Sequence, residues 1–299
     1  MREVAPYRPY EKSFQGAWVP GLPHLLLEVP AYESLRQTVT DVGKSWYETG
    51  VRKLFFFSTQ WRSVLGHSFL QGPDAHGEHV DENWYDFGPI PYDLRFDPMM
   101  VADCARAAQV RGFQAKTINY PGFPLDTGTL VAHALLTQGA RQVEPGFDFL
   151  VGSVSCSIYA DYLETYDLAR SLAAVLRDQR EPCAVVVVSQ LSQRTLERDY
   201  GEIPEQIASP QDQLFNEACL QAIKQGNVDD LKVIVAEKGA DACADMSLRG
   251  LAFLEGLGLW GADLFGNPLV GQLHAYGPVH GTGAAVIGFN ATLPPPTLG

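Results

Sequence analysis

Five short apolar runs, rich in β-branched or aromatic residues and separated by helix-length stretches, limit most strongly what this chain can become. VRKLFFFS (51–58), FQAKTI (113–118), FDFLVGSV (147–154), CAVVVVS (183–189) and AAVIGF (284–289) are too short for buried helices and read as strands. The helices between them have legible ends. Asp97-Pro98 supplies an N-cap and a first-turn proline to MMVADCARAAQVR, and Gly112 stops it; Ser209-Pro210 opens QDQLFNEACLQAIKQ, and Gly226 closes it. DYLETYDLARSLAAVLRD (161–178) sets Leu163, Leu168, Leu172, Val175 and Leu176 along one face. Such alternation implies an α/β fold: a mostly parallel central sheet flanked by helices.

The chain has 299 residues, of which 46% are hydrophobic and 19% charged, the balance of a protein with a large core. With no internal repeat or low-complexity linker, residues 14–290 read as one domain, with 1–13 and 291–299 as tails. Asp and Glu outnumber Lys and Arg by 35 to 22, a net charge of −13 that repels nucleic acid and anionic lipid. Apolar runs such as AVVVV (184–188) are far too short to span a bilayer, and MREVAPYRPYEKSF, polar and Pro-containing, does not read as a leader. A cytoplasmic protein is expected. Five widely spaced cysteines with no CxxC pair argue against a disulfide framework; Cys104, Cys183 and Cys219 fall in apolar patterns and read as core. Residues 71–96 form one long irregular segment, the kind that is functional or faces a partner.

Seven histidines are the first candidates for chemistry. His76 and His79, among Asp74, Glu78, Asp81 and Glu82, have no standard metal spacing and read as a solvated acidic loop. His67 follows Gly66 in a loop, and His133 sits on an apolar helix as a hydrogen-bonded core residue. His24 and His280 are more telling, because each occupies a Gly/Pro turn beside a strand. GPVHGTGAAV lacks the lysine of a P-loop and runs into a strand rather than a helix, so it is no phosphate cradle. Asp126 reads as the N-cap of a helix beginning near Thr129. There is no Gly-x-Ser-x-Gly elbow. FFFSTQW ends a buried strand at a polar rim, where α/β sheets normally hold ligands, and the group offered there is the amide of Gln60.

The ordered segments VPGLPHLLL, FFFSTQW, HVDENWYDFG, YPGFPLDTGTL, VVVSQLSQ, SPQDQLFNEACLQAIKQGN and YGPVHGTGAAVIGF are similar to class III extradiol ring-cleaving dioxygenases, the protocatechuate 4,5-dioxygenase β-chain superfamily. The likeness spans about residues 14 to 290. HVDENWYDFG, GFPLDTGT and GPVHGTGAAVI most resemble α-subunits of 2-aminophenol 1,6-dioxygenase, the partners of a catalytic β-subunit. Catalytic members hold Fe(II) with two His and one Glu and use further His residues for proton transfer. The resemblance puts the first metal His at Gly21, with the turn's second His kept as His24. It puts the second metal His at Gln60, the Glu at Leu214 with Glu217 close by, and two catalytic His at Thr127 and Gln193.

The resemblance thus implies a non-catalytic subunit or pseudoenzyme that carries no cofactor of its own and stabilises or regulates a catalytic paralogue. Two alternatives stand beside it. One is an active Fe(II) dioxygenase with relocated ligands, drawn from His24 or His280 with Asp126, Glu217 or the 74–82 cluster. The other is a binder of small aromatic molecules. A pocket is expected among His24, Gln60, Asp126, Gln193 and His280. Trp84, Tyr85 and Phe87, three large aromatics in an acidic loop, are expected at a contact with a catalytic subunit or a second copy.

Overall fold

A computed structural model describes residues 14–196 and 205–291. Its strands are β1 (Phe14–Val19), β2 (Lys53–Ser63), β3 (His67–Gly72), β4 (Ala75–His79), β5 (Ile90–Phe96), β6 (Ala115–Asn119), β7 (Leu150–Ser157), β8 (Cys183–Val188), β9 (Gly261–Ala262), β10 (Pro268–Leu269), β11 (Gln272–Val279) and β12 (Thr282–Ala291). Its α-helices are α1 (Glu33–Glu48), α2 (Pro98–Val110), α3 (Thr127–Arg141), α4 (Tyr162–Arg177), α5 (Pro210–Gln225), α6 (Val228–Lys238) and α7 (Arg249–Gly256).

The main sheet runs β11-β12-β1-β8-β2-β7-β3-β6, and β5 also joins β7. Its centre is parallel: β8 lies between β1 and β2, and β2 between β8 and β7. All six residues of β8 are buried, as a strand covered on both faces must be. One core packs Phe55, Phe57, Val185 and Val187 under α2, α4, α5 and α7; the other packs Phe56, Val186 and Val188 under α1 and α3. These alternate along β2 and β8 as the two-residue side-chain period requires.

All five sequence-expected strands form. Asp97 caps α2 by accepting from the Met99 and Met100 N–H groups, and Ser209 caps α5 by accepting from Asp212. Gly226 ends α5 in the left-handed conformation. Three expectations need correcting. Leu163 is 63% exposed, so the buried stripe of α4 starts at Thr165 and continues through Leu168, Leu172 and Leu176. Residues 71–96 are not irregular: β4 and β5 pair antiparallel from Ala75↔Leu94 to His79↔Ile90, and only the connection at 80–89 leaves the ladder. Ala291, placed in a tail, closes β12 opposite Phe14. The remaining tail residues, 1–13 and 292–299, lie outside the described residues. No helix among those described is long and apolar enough to cross a membrane. All five cysteines are free, and Cys243 is the exposed one.

Candidate functional site

At the C-terminal end of β2 the parallel ladder breaks. Ser58 pairs with Ser155 and the next pairing is Arg62 with Cys156, so Thr59, Gln60 and Trp61 are looped out between them. This bulge places Gln60 among three chain segments. Its Nε2 donates to Gly21 O at 3.1 Å, and its Oε1 accepts from Gly128 N at 2.8 Å. Both ends of the amide are committed to buried backbone. Gly21 has no room for anything larger: a Cβ there would lie 2.4 Å from Val188 Cγ1 and 2.6 Å from Gly128 Cα. Gly128 is equally confined, since its Cβ would meet the Gln60 amide carbon at 2.9 Å.

Asp126 caps α3. Its Oδ1 accepts from Thr129 N at 2.9 Å and from Ser58 Oγ at 2.6 Å, which ties the helix start to β2. Thr127 follows it, buried, with its hydroxyl donating to Asp81 Oδ2 and lying 2.8 Å from His79 Nε2. A hydroxyl has one hydrogen, so with that hydrogen on Asp81 the imidazole is the donor. Asp81 Oδ1 meanwhile accepts from the N–H groups of Asn83 and Trp84. His79 and Asp81 were expected in a solvated loop. Instead they latch the end of the β4–β5 hairpin onto the start of α3.

Behind the latch, Trp84 and Phe87 turn inward. Their rings lie parallel with centroids 6.2 Å apart, and each meets the His24 ring edge-on at 4.7 Å. His280 stacks on His24 at 5.1 Å and meets Trp84 at 5.0 Å. Burial, and secondarily the neighbouring His280, push His24 down to about 4 against the opposing pull of Asp81. His280 holds a positive φ of 48° and donates its backbone N–H to Glu205 Oε2 at 2.9 Å; Glu205 also accepts from the Tyr32 hydroxyl. The turn that carries His280 is thus pinned from the other side.

Besides Asp126, the fold brings a second carboxylate to the strand ends, Asp245, which sequence reasoning missed. It is fully buried, and its Oδ2 accepts from Thr59 Oγ1 at 2.7 Å, Ser189 Oγ at 2.8 Å and Gln190 N at 3.0 Å. Burial raises its pKa against those three bonds and the pull of Arg62. It opens a turn in which Met246, Ser247 and Leu248 all have positive φ. Nothing in ADMSLRG marks such a turn, because glycine, the residue that favours that conformation, is absent from those positions.

The remaining sequence candidates scatter. Leu214 is 65% exposed and faces away from the strand ends; Phe215 and Asn216 are the inward residues of that turn. Glu217 is exposed and accepts from Gln213 on the helix surface. Gln193 is half-buried, with its backbone N–H on Cys243 O. Among the described residues no three His, Cys, Asp or Glu side chains gather as metal donors. The three positions assigned to metal ligands hold a glycine, a committed amide and an outward leucine. They do not fit Fe(II), which in this chemistry takes imidazole and carboxylate with open positions.

Comparison with known proteins gives the fold and site a context. No protein-family model matches the chain. It is 29% identical to the 2-aminophenol 1,6-dioxygenase alpha subunit of a Pseudomonas species over 274 residues, covering 91% of this chain and 97% of that one. It is 22% identical to the beta subunit of the same name over 270 residues, covering 87% and 84%. Over nearly its whole length the chain is thus similar to both subunits, in line with the resemblance of its motifs to class III extradiol dioxygenases. A crystal structure of an uncharacterized Escherichia coli K12 protein shares the fold, with a TM-score of 0.66 at 14% identity, covering 92% of this chain and 99% of that one.

Proposed function

We propose that this chain is a member of the class III extradiol dioxygenase superfamily that serves as a non-catalytic, metal-ligand-deficient subunit and stabilises or regulates a catalytic paralogue in aromatic-ring cleavage, with residues 14–290 acting as one unit. One observation carries the reading. Where relatives would hold iron, Gln60 bridges Gly21 and Gly128 through both ends of its amide, and Gly21 sits where a side chain would collide with Val188. The chemistry has been replaced by a structural clasp rather than merely lost, since close packing leaves no space to restore it without moving backbone. The similarity to both subunits of a heteromeric enzyme supports a paralogue as the partner. Five unpaired cysteines fit a reducing, cytoplasmic setting.

The relocated-ligand alternative finds no support in the geometry: His24 is packed among rings, Asp126 caps a helix and Glu217 faces out. The small-molecule alternative meets a site that Trp84 and Phe87 fill from within the chain. The test is co-expression with a catalytic subunit of the 2-aminophenol 1,6-dioxygenase beta type. The proposal expects a stable complex in which the paralogue's turnover or solubility rises. A paralogue that neither binds this chain nor changes in its presence would overturn it.

A further inference from the structure

Beneath the start of α3 lies a small cavity whose contents can be argued from its walls. Asp126, Thr129 and Ser153 supply its polar surface, and Trp61, Phe96 and Phe123 part of its apolar surface. Thr129 and Ser153 are 4% and 2% exposed, and neither hydroxyl has a hydrogen-bond partner in the protein. They stand on different elements, Thr129 in the first turn of α3 and Ser153 in β7. Two orphaned hydroxyls on one cavity is an uncommon arrangement, because buried polar groups are nearly always paired. The room in the cavity is about 10 Å³, the low end of the roughly 10–15 Å³ that one water needs, and two to four polar partners are what such a water takes. An organic ligand does not fit that volume.

We infer that this cavity is a binding site for one ordered water, held by Thr129 Oγ1 and Ser153 Oγ beside the Asp126 carboxylate. A water both donates and accepts, so one molecule can satisfy both hydroxyls that line the cavity. The polar chain then runs from Ser58 through Asp126, the α3 first turn and the water to Ser153, joining β2, α3 and β7 under the Gln60 clasp. The site is independent of whether the chain is catalytic.

A crystal structure of the intact protein, at a resolution that shows ordered solvent, tests this directly. A peak within hydrogen-bond distance of both hydroxyls is expected. A dry cavity, with the hydroxyls apart or bonded to each other, overturns the inference. Melting of Ser153→Ala, Thr129→Val and the double variant gives a second reading, because the sign differs between the two cases. Bridged hydroxyls make each single substitution lower the Tm, with the double variant losing less than the sum. Orphaned hydroxyls make removal neutral or favourable, so a raised Tm in either single variant contradicts the water.

Discussion

At the scale of single residues, Gln60 and Gly21 decide the account. Gln60→Leu leaves Gly128 N–H and Gly21 C=O buried without their side-chain partner, which should cost about 2 kcal/mol in urea unfolding. Gly21→His, the substitution that nominally restores a ligand, drives a Cβ into Val188 and the Gly128 backbone. Overpacking of that kind costs roughly 1–3 kcal/mol or more, so the variant should be destabilised rather than reactivated. A second consequence concerns pH. His24 and His133 are both pushed down to about 4 by burial. A histidine whose folded pKa lies below its unfolded value of 6.5 binds fewer protons folded than unfolded, so stability is full above 6.5 and lost as pH falls toward 4. Each residue can remove about 3 kcal/mol by that point. Asp245, with its raised pKa, works in the opposite sense. The urea midpoint should therefore fall between pH 6.5 and 4, and His24→Leu should flatten the slope; an unchanged slope would show that His24 is not held neutral by its burial.

At the scale of elements, the β4–β5 hairpin is the device that distinguishes this site. Its latch is Thr127 between His79 and Asp81, and its plug is the Trp84–Phe87 pair on His24. Replacing Trp84 and Phe87 together with Ala uncovers His24. Its NMR titration should move up toward 6.5 while far-ultraviolet circular dichroism stays unchanged, because both residues lie in the 80–89 connection, outside the β4–β5 ladder. A His24 titration that stays near 4 would mean the rings do not seal it. Much of the element structure was legible in the sequence because caps and apolar runs act locally. Asp97-Pro98, Ser209-Pro210 and Gly226 act within one helical turn, and β8 is apolar at every position. The hairpin was not legible, since β4 is the polar run Ala-His-Gly-Glu-His and owes its shape to pairing with β5. Asp126 could be read as a cap, and Gln60 located at the rim, from neighbouring residues alone. Asp245 could not, because its partners Thr59 and Ser189 lie 186 and 56 residues away.

At the scale of the whole molecule, the three aromatics expected at an interface divide. Trp84 and Phe87 pack within the chain, while Tyr85 between them is 65% exposed. The assembly proposal therefore rests on Tyr85, and Tyr85→Ala should weaken association in sedimentation velocity while leaving the Tm unchanged; Trp84→Ala should lower the Tm instead. A Tyr85 variant that associates as the parent does would move the contact elsewhere. The proposal that a backbone clasp stands where an extradiol dioxygenase would hold iron is decided by the iron content of the purified chain after anaerobic incubation with Fe(II) and desalting. Well under one iron per chain is expected, with no ring opening of catechol or 2-aminophenol by the chain alone; one iron per chain together with turnover would overturn the proposal.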